Sequence, residues 1–148
     1  MKVHYKKAIC GYSGTTDEVV YYYHPQLNLS LVREYVRPKD SPATDRIKAV
    51  MANLKLIQPS AGYKQNLKDY LLQYSRLKDY QHKPMLTWNN LFVKLMFALE
   101  KAFPEVDLTT LTRTQITELD LPCQSVKSAV EAGLLPEVDN YSHMDILI

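Results

Sequence analysis

The chain has 148 residues, 46% of them apolar and 23% charged, with a net charge of +2. That length can bury a core without disulfide or metal staples, and the balance of apolar and charged residues excludes a disordered chain or a fibrous repeat. The longest apolar run, Leu91 to Leu99, is broken by Lys94 and falls well short of the roughly twenty residues of a membrane span, so no membrane partner is expected.

Charge is unevenly placed. Residues 1–103 sum to +8 and residues 104–148 to −6, a polarity that suits nucleic acid, an acidic partner or head-to-tail assembly. Cys10 and Cys123 lie far apart in sequence with no metal or redox spacing, and read as thiols of a reducing compartment, with a disulfide between them as the alternative. Met1 to Lys7 has no apolar stretch and no cleavage site, so the expected location is cytoplasmic or virion-associated, without a signal peptide.

In chain order, residues 2–9 and 17–24 are rich in Val, Ile and Tyr and predict strands, with turn chemistry over 11–16, where Gly11 and Gly14 tolerate positive φ. Leu27, Leu29 and Leu31 alternate with Asn28 and Ser30, predicting a further strand that runs toward Arg37 and is closed by Pro38. His24-Pro25-Gln26 would connect the two.

Ser41-Pro42 is a helix start, and Ile47, Val50, Met51, Leu54 and Ile57 follow at helical spacing up to Pro59. Ser60 caps the next helix, whose inner stripe is Tyr63, Leu67, Tyr70, Leu71 and Tyr74. Thr87 caps a third, flanked by Leu86 and Leu91 at the spacing of a hydrophobic staple. From Leu91 to Leu99 this helix is apolar almost all round, which predicts the central helix of the fold, ended by Pro104. A short helix is expected within 107–119, and another from Pro122 through Val126, Ala129 and Val130 to a Gly133 cap. The apolar tail Met144 to Ile148 is expected to add an edge strand or dock on a neighbouring subunit.

The predicted fold class is therefore α+β, an N-terminal antiparallel hairpin or three-stranded sheet packed on a bundle of four to five helices. It is read as one domain, 1–148, with a β-arm over 1–38, a helical body over 41–135 and a tail over 136–148.

No catalytic constellation stands out. Ser13 is followed by Gly14 and Thr15, not by the glycine two places on that a nucleophile elbow needs, and no Gly-Lys-Ser/Thr follows as in a phosphate loop. His4, His24, His82 and His143 are scattered without helical pairing to another ligand, so no metal and no cofactor are predicted. An enzyme would need a site assembled from distant residues such as His24, Asp69 and His82, and the chain is read as not an enzyme, with no small-molecule substrate.

Two non-catalytic readings remain. A tyrosine-rich hairpin has an outer strand with unpaired backbone groups and large, low-entropy contact surfaces, which makes Tyr21, Tyr23, Arg33, Tyr35 and Arg37 candidate contacts with a second copy. The alternative is a basic, aromatic face for nucleic acid, built from Arg33, Arg37, Lys39, Arg46 and Lys48.

The order of Gly11, Gly14, then Val19, Val20, Tyr21 and Tyr22, then Val32, Arg33, Tyr35, Val36 and Pro38, resembles a class of small uncharacterised proteins in bacterial and prophage genomes. The resemblance covers about the first third of the chain; beyond it, the segment Ser41-Pro42-Ala43-Thr44 departs from the pattern Thr-Pro-x-Gln. Some of those proteins resemble virion or appendage components, which implies self-assembly without catalysis.

Overall fold

A computed structural model describes residues 13–16, 18–24, 28–37, 40–77, 80 and 85–148. The chain divides into two compact units, Met1–Ser41 and Pro42–Ile148. The α+β class is as expected, an antiparallel sheet in the first unit and five α-helices in the second.

In the first unit β1 (Gly14–Thr16), β2 (Val19–His24) and β3 (Leu29–Glu34) form a sheet of order β1-β2-β3. The stretch 11–16, expected as a turn, is a strand over its second half: Gly14 pairs with Tyr21, Thr15 with Val20 and Thr16 with Val19. Two β-branched threonines suit a strand better than a turn, and the chain reverses only beyond them. The strand expected over 2–9, and Cys10, Pro25, Pro38 and His82, lie outside the described residues.

The second unit begins at α1 (Pro42–Ile57), which buries Val50, Leu54 and Ile57. Ile47, expected on that inner stripe, is 53% exposed, because the first two turns of the helix, 42–49, hold no buried residue and packing begins at Val50. Asn53 reaches across to the loop before α4, its amide donating to the carbonyls of Leu108 (3.0 Å) and Leu111 (2.8 Å). α2 (Ala61–Tyr74) is capped by the Ser60 hydroxyl, which accepts from the Tyr63 N–H, and α3 (Trp88–Ala102) by Thr87, which accepts from Asn90. Leu91, Phe92, Leu95, Met96 and Leu99 of α3 are all buried, as its apolar pattern requires.

After α3, Asp107 turns the chain by accepting from the Thr109 N–H and hydroxyl, and these bonds hold its carboxyl below the usual carboxylate range. The short helix expected within 107–119 is α4 (Arg113–Glu118), started by a capping box between Thr112 and Gln115. The helix expected from Pro122 is split into a 3-10 turn, Pro122–Gln124, and α5 (Val126–Glu131). Ser125 causes the break: its backbone is extended and its hydroxyl accepts from Ser128 N–H as a new N-cap. Gly133, at φ 72°, terminates α5 as expected.

The C-terminal segment corrects another expectation. It is not an edge strand: Met144 and Ile148 are buried within their own unit, while Ile146 and Leu147 are exposed. Met144 O accepts from Lys127 N–H and Ile148 N–H donates to Gln124 O, both at 2.9 Å, while the Ser60 hydroxyl donates to Leu147 O. Arg113 adds a bond to the backbone oxygen of Ile148. Gly62 permits this close docking, because a Cβ there would stand 2.9 Å from Ile146 Cγ2.

Three tyrosines on one face of α2 tie the unit together. The Tyr63 hydroxyl donates to Cys123 O (2.8 Å), the Tyr70 hydroxyl donates to Pro136 O (2.7 Å), and the Tyr74 hydroxyl accepts from Lys94 Nζ (2.8 Å). Burial raises the Tyr63 and Tyr70 phenols above their ordinary value and pushes the Cys123 thiol up from 9.0 to about 12. Each group is neutral in the fold where the unfolded chain would ionise. Their stabilising contribution is therefore complete below the unfolded values and is lost as pH rises through the folded ones. The urea midpoint is expected to hold up to about pH 9 and to fall progressively from there toward 12. A midpoint unchanged across that range would show that these groups ionise without opening the fold. Among the described residues no helix is long and apolar enough to cross a membrane.

Candidate interaction surface

The sheet of the first unit is built by register. β2 and β3 pair Val19 with Glu34, Val20 with Arg33, Tyr21 with Val32, Tyr22 with Leu31, Tyr23 with Ser30 and His24 with Leu29. Residues directly opposite in an antiparallel pair share a face. One face therefore carries Val19, Tyr21, Tyr23, Ser30, Val32 and Glu34, and the other Val20, Tyr22, His24, Leu29, Leu31 and Arg33.

This register divides the candidate contact residues. Tyr21 and Tyr23 share one face, and Arg33 lies on the other beside Val20. Tyr35 and Arg37 follow the end of β3 and are exposed, and Tyr35 N–H donates to Glu18 O at 2.6 Å. Tyr23 is engaged within the unit, its hydroxyl donating to Asn28 Oδ1 at 2.6 Å, where Asn28 takes the left-handed conformation (φ 48°) that asparagine tolerates. An open hollow of about 470 Å³ is lined by residues that include Thr15, Val20, Tyr22 and Arg33.

The basic candidates are also divided. Arg33 and Arg37 belong to the sheet unit and Lys39 lies outside the described residues. Arg46 and Lys48 belong to α1 and are engaged by carboxylates, Arg46 by Glu100 at 2.5 Å and Lys48 by Asp45 at 3.1 Å. Of the residues an assembled catalytic site would need, His24 and Asp69 fall in separate units, and Asp69 accepts a local bond from the Gln65 amide at 2.9 Å. Among the described residues no group of three or more His, Cys, Asp or Glu could hold a metal ion.

The outer strand with unpaired backbone groups that the sequence led to is, on one side of the sheet, β3. Since Tyr35 N–H points to β2 and the β2–β3 register runs without a break, alternate residues Ser30, Val32 and Glu34 turn their N–H and C=O groups away from β2. Among the described residues no strand pairs with that edge. It carries the charged Arg33 and Glu34 but no proline or lysine, and is bounded by exposed apolar side chains, Leu29 at 37%, Tyr35 at 49% and Val36 at 74%. None of the sheet's described side chains is buried, whereas the second unit has a full core. Alternation within the strand was the available signal; that β3 is outermost depends on strand order, which local pattern does not encode.

Comparison with known proteins gives no match to a family model, a curated protein or a solved structure.

Proposed function

We propose that this chain is a self-associating structural subunit and that the sheet of its first unit is the contact surface. The observation that carries the reading is the β3 edge, which no strand among the described residues pairs and which carries Arg33 and Glu34 but no proline and no lysine. Natural sheets blunt such edges with charge, proline or a covering element, because unpaired N–H and C=O groups recruit another strand. Here the described part of the edge is bounded by Leu29, Tyr35 and Val36, all exposed. A small sheet none of whose described side chains is buried gains stability from added strands, since three or more with a covered apolar face are needed for independence. The first third of the chain resembles small bacterial and prophage proteins, some of which resemble virion or appendage components, and this points the same way. The nucleic-acid alternative is less well supported, as Arg46 and Lys48 already face carboxylates.

The test is light scattering after size exclusion, over a range of protein and salt concentrations. The expected mass is a fixed multiple of 17.1 kDa. The double variant Leu29→Lys/Val36→Lys replaces two exposed side chains and places four cations in a two-copy interface, so it is expected to return the chain to a single-copy mass with unchanged helical circular dichroism. An unchanged multiple would remove the sheet edge from the interface. A native chain that stays single-copy at every concentration would overturn self-association altogether, and nucleic acid shed at high salt would point to the alternative.

A further inference from the structure

We infer that two copies pair β3 against β3, antiparallel, about a two-fold axis at Val32. This rests on the self-association reading and adds its register and symmetry. The outward groups are those of Ser30, Val32 and Glu34. A two-fold relating two adjacent antiparallel strands runs perpendicular to the sheet, so each side chain stays on its own face. Directly opposed residues must then both be even-numbered or both odd-numbered.

Charge selects among the registers this allows. Centring the axis on Arg33 sets Arg33 opposite Arg33 of the second copy, and centring it on Glu34 does the same to the two carboxylates. Like charges directly opposite disfavour a pair. Centring on Val32 sets Val32 on Val32, Ser30 on Glu34, Leu31 on Arg33 and Leu29 on Tyr35, with no like-charge pair. The outward groups of Ser30, Val32 and Glu34 all find partners, and the exposed Leu29 and Tyr35 cover each other. Moving the axis to Leu31 also avoids like charges but, among the described residues, pairs only 28–34, a shorter stretch than the one centred on Val32. Arg33 and Glu34 thus act as register markers, each blocking one displaced pairing.

Cysteine linking tests the register. A hydrogen-bonded antiparallel pair holds its Cα atoms about 5.5 Å apart and a non-bonded pair about 4.5 Å, both within disulfide reach. In a Cys10→Ser background, with Cys123 buried in the other unit, scattering on the reduced protein first establishes whether copies associate. On oxidation, Val32→Cys is expected to link to itself, and a mixture of Leu29→Cys with Tyr35→Cys to link to each other. A mixture of Leu31→Cys with Tyr35→Cys reports the axis at Arg33 and is expected to stay unlinked. Adding Arg33→Val to that last mixture removes the like-charge bar, and linking is expected to appear. Associated copies that link only in the displaced mixture, or nowhere, would overturn the register and leave self-association standing. Copies that never associate would overturn both.

Discussion

Leu95→Ala is expected to lower the stability of the helical unit by about 2–5 kcal/mol, the range for emptying a packed leucine site. Leu95 is fully buried on α3, the helix whose neighbours Leu91, Phe92, Met96 and Leu99 are buried with it. A domain of this kind has about 5–15 kcal/mol in total, so the variant would lose a large share of its margin. Leu72→Ala is the matched control. It removes the same atoms from a helix surface where Leu72 is 64% exposed, and its effect is expected within about 0.5 kcal/mol. Urea unfolding followed by far-ultraviolet circular dichroism checks both; equal midpoints would contradict the assignment of α3 to the core.

The second large effect concerns Lys94, the one charge inside that apolar helix segment. Its ammonium lies 4.8 Å from the ring centre of Tyr74 and 5.0 Å from that of Tyr80, and donates to the Tyr74 hydroxyl. The two rings are stacked with centroids 4.5 Å apart, and Tyr74 is only 2% exposed. A cation over aromatic faces contributes about 0.5–2 kcal/mol, and the loss of a bonding partner from the buried hydroxyl adds about 1–3 kcal/mol. Lys94→Ala, which removes both, is therefore expected to cost about 1.5–5 kcal/mol. Lys94→Arg should retain most of the stability, whereas Lys94→Glu should be worse than alanine, because a carboxylate would face the negative side of two rings. Thermal midpoints in the order Arg, Ala, Glu check this; a glutamate variant as stable as the alanine one would show that the ring contacts contribute nothing.

Lys94 also shows where reading the sequence stops. Periodicity placed α3 and its core stripe, yet a lysine within an apolar run looks like an interruption until Tyr74 and Tyr80 are seen to receive it. The tyrosines of α2 tell a similar story. Their spacing assigned them to an inner face, but the carbonyls of Cys123 and Pro136 that accept from Tyr63 and Tyr70 lie sixty and sixty-six residues away. No local rule connects them. The C-terminal segment was misjudged for the same reason: its apolar pattern marked it for burial, and the place of burial depended on Gly62 leaving room for Ile146.

The candidate surface divides in the same way. Alternation in β2 and β3 was legible, because successive side chains on a strand point to opposite faces whatever the strand meets. Which face of β2 continues into which face of β3 was not legible, since that follows from register, and a shift of one residue reverses it. Hence Tyr21 and Arg33, grouped by sequence, lie on opposite faces.

By itself the sequence determined the α+β class, the starts of α1, α2 and α3 and the central place of α3. Caps, prolines and hydrophobic spacing act within a few residues, and their physics needs no distant partner. The tertiary structure alone decided which tyrosine hydroxyls find a carbonyl, where the tail docks, how the sheet faces divide and which strand is left at the edge. Each of those depends on segments brought together only when the chain folds.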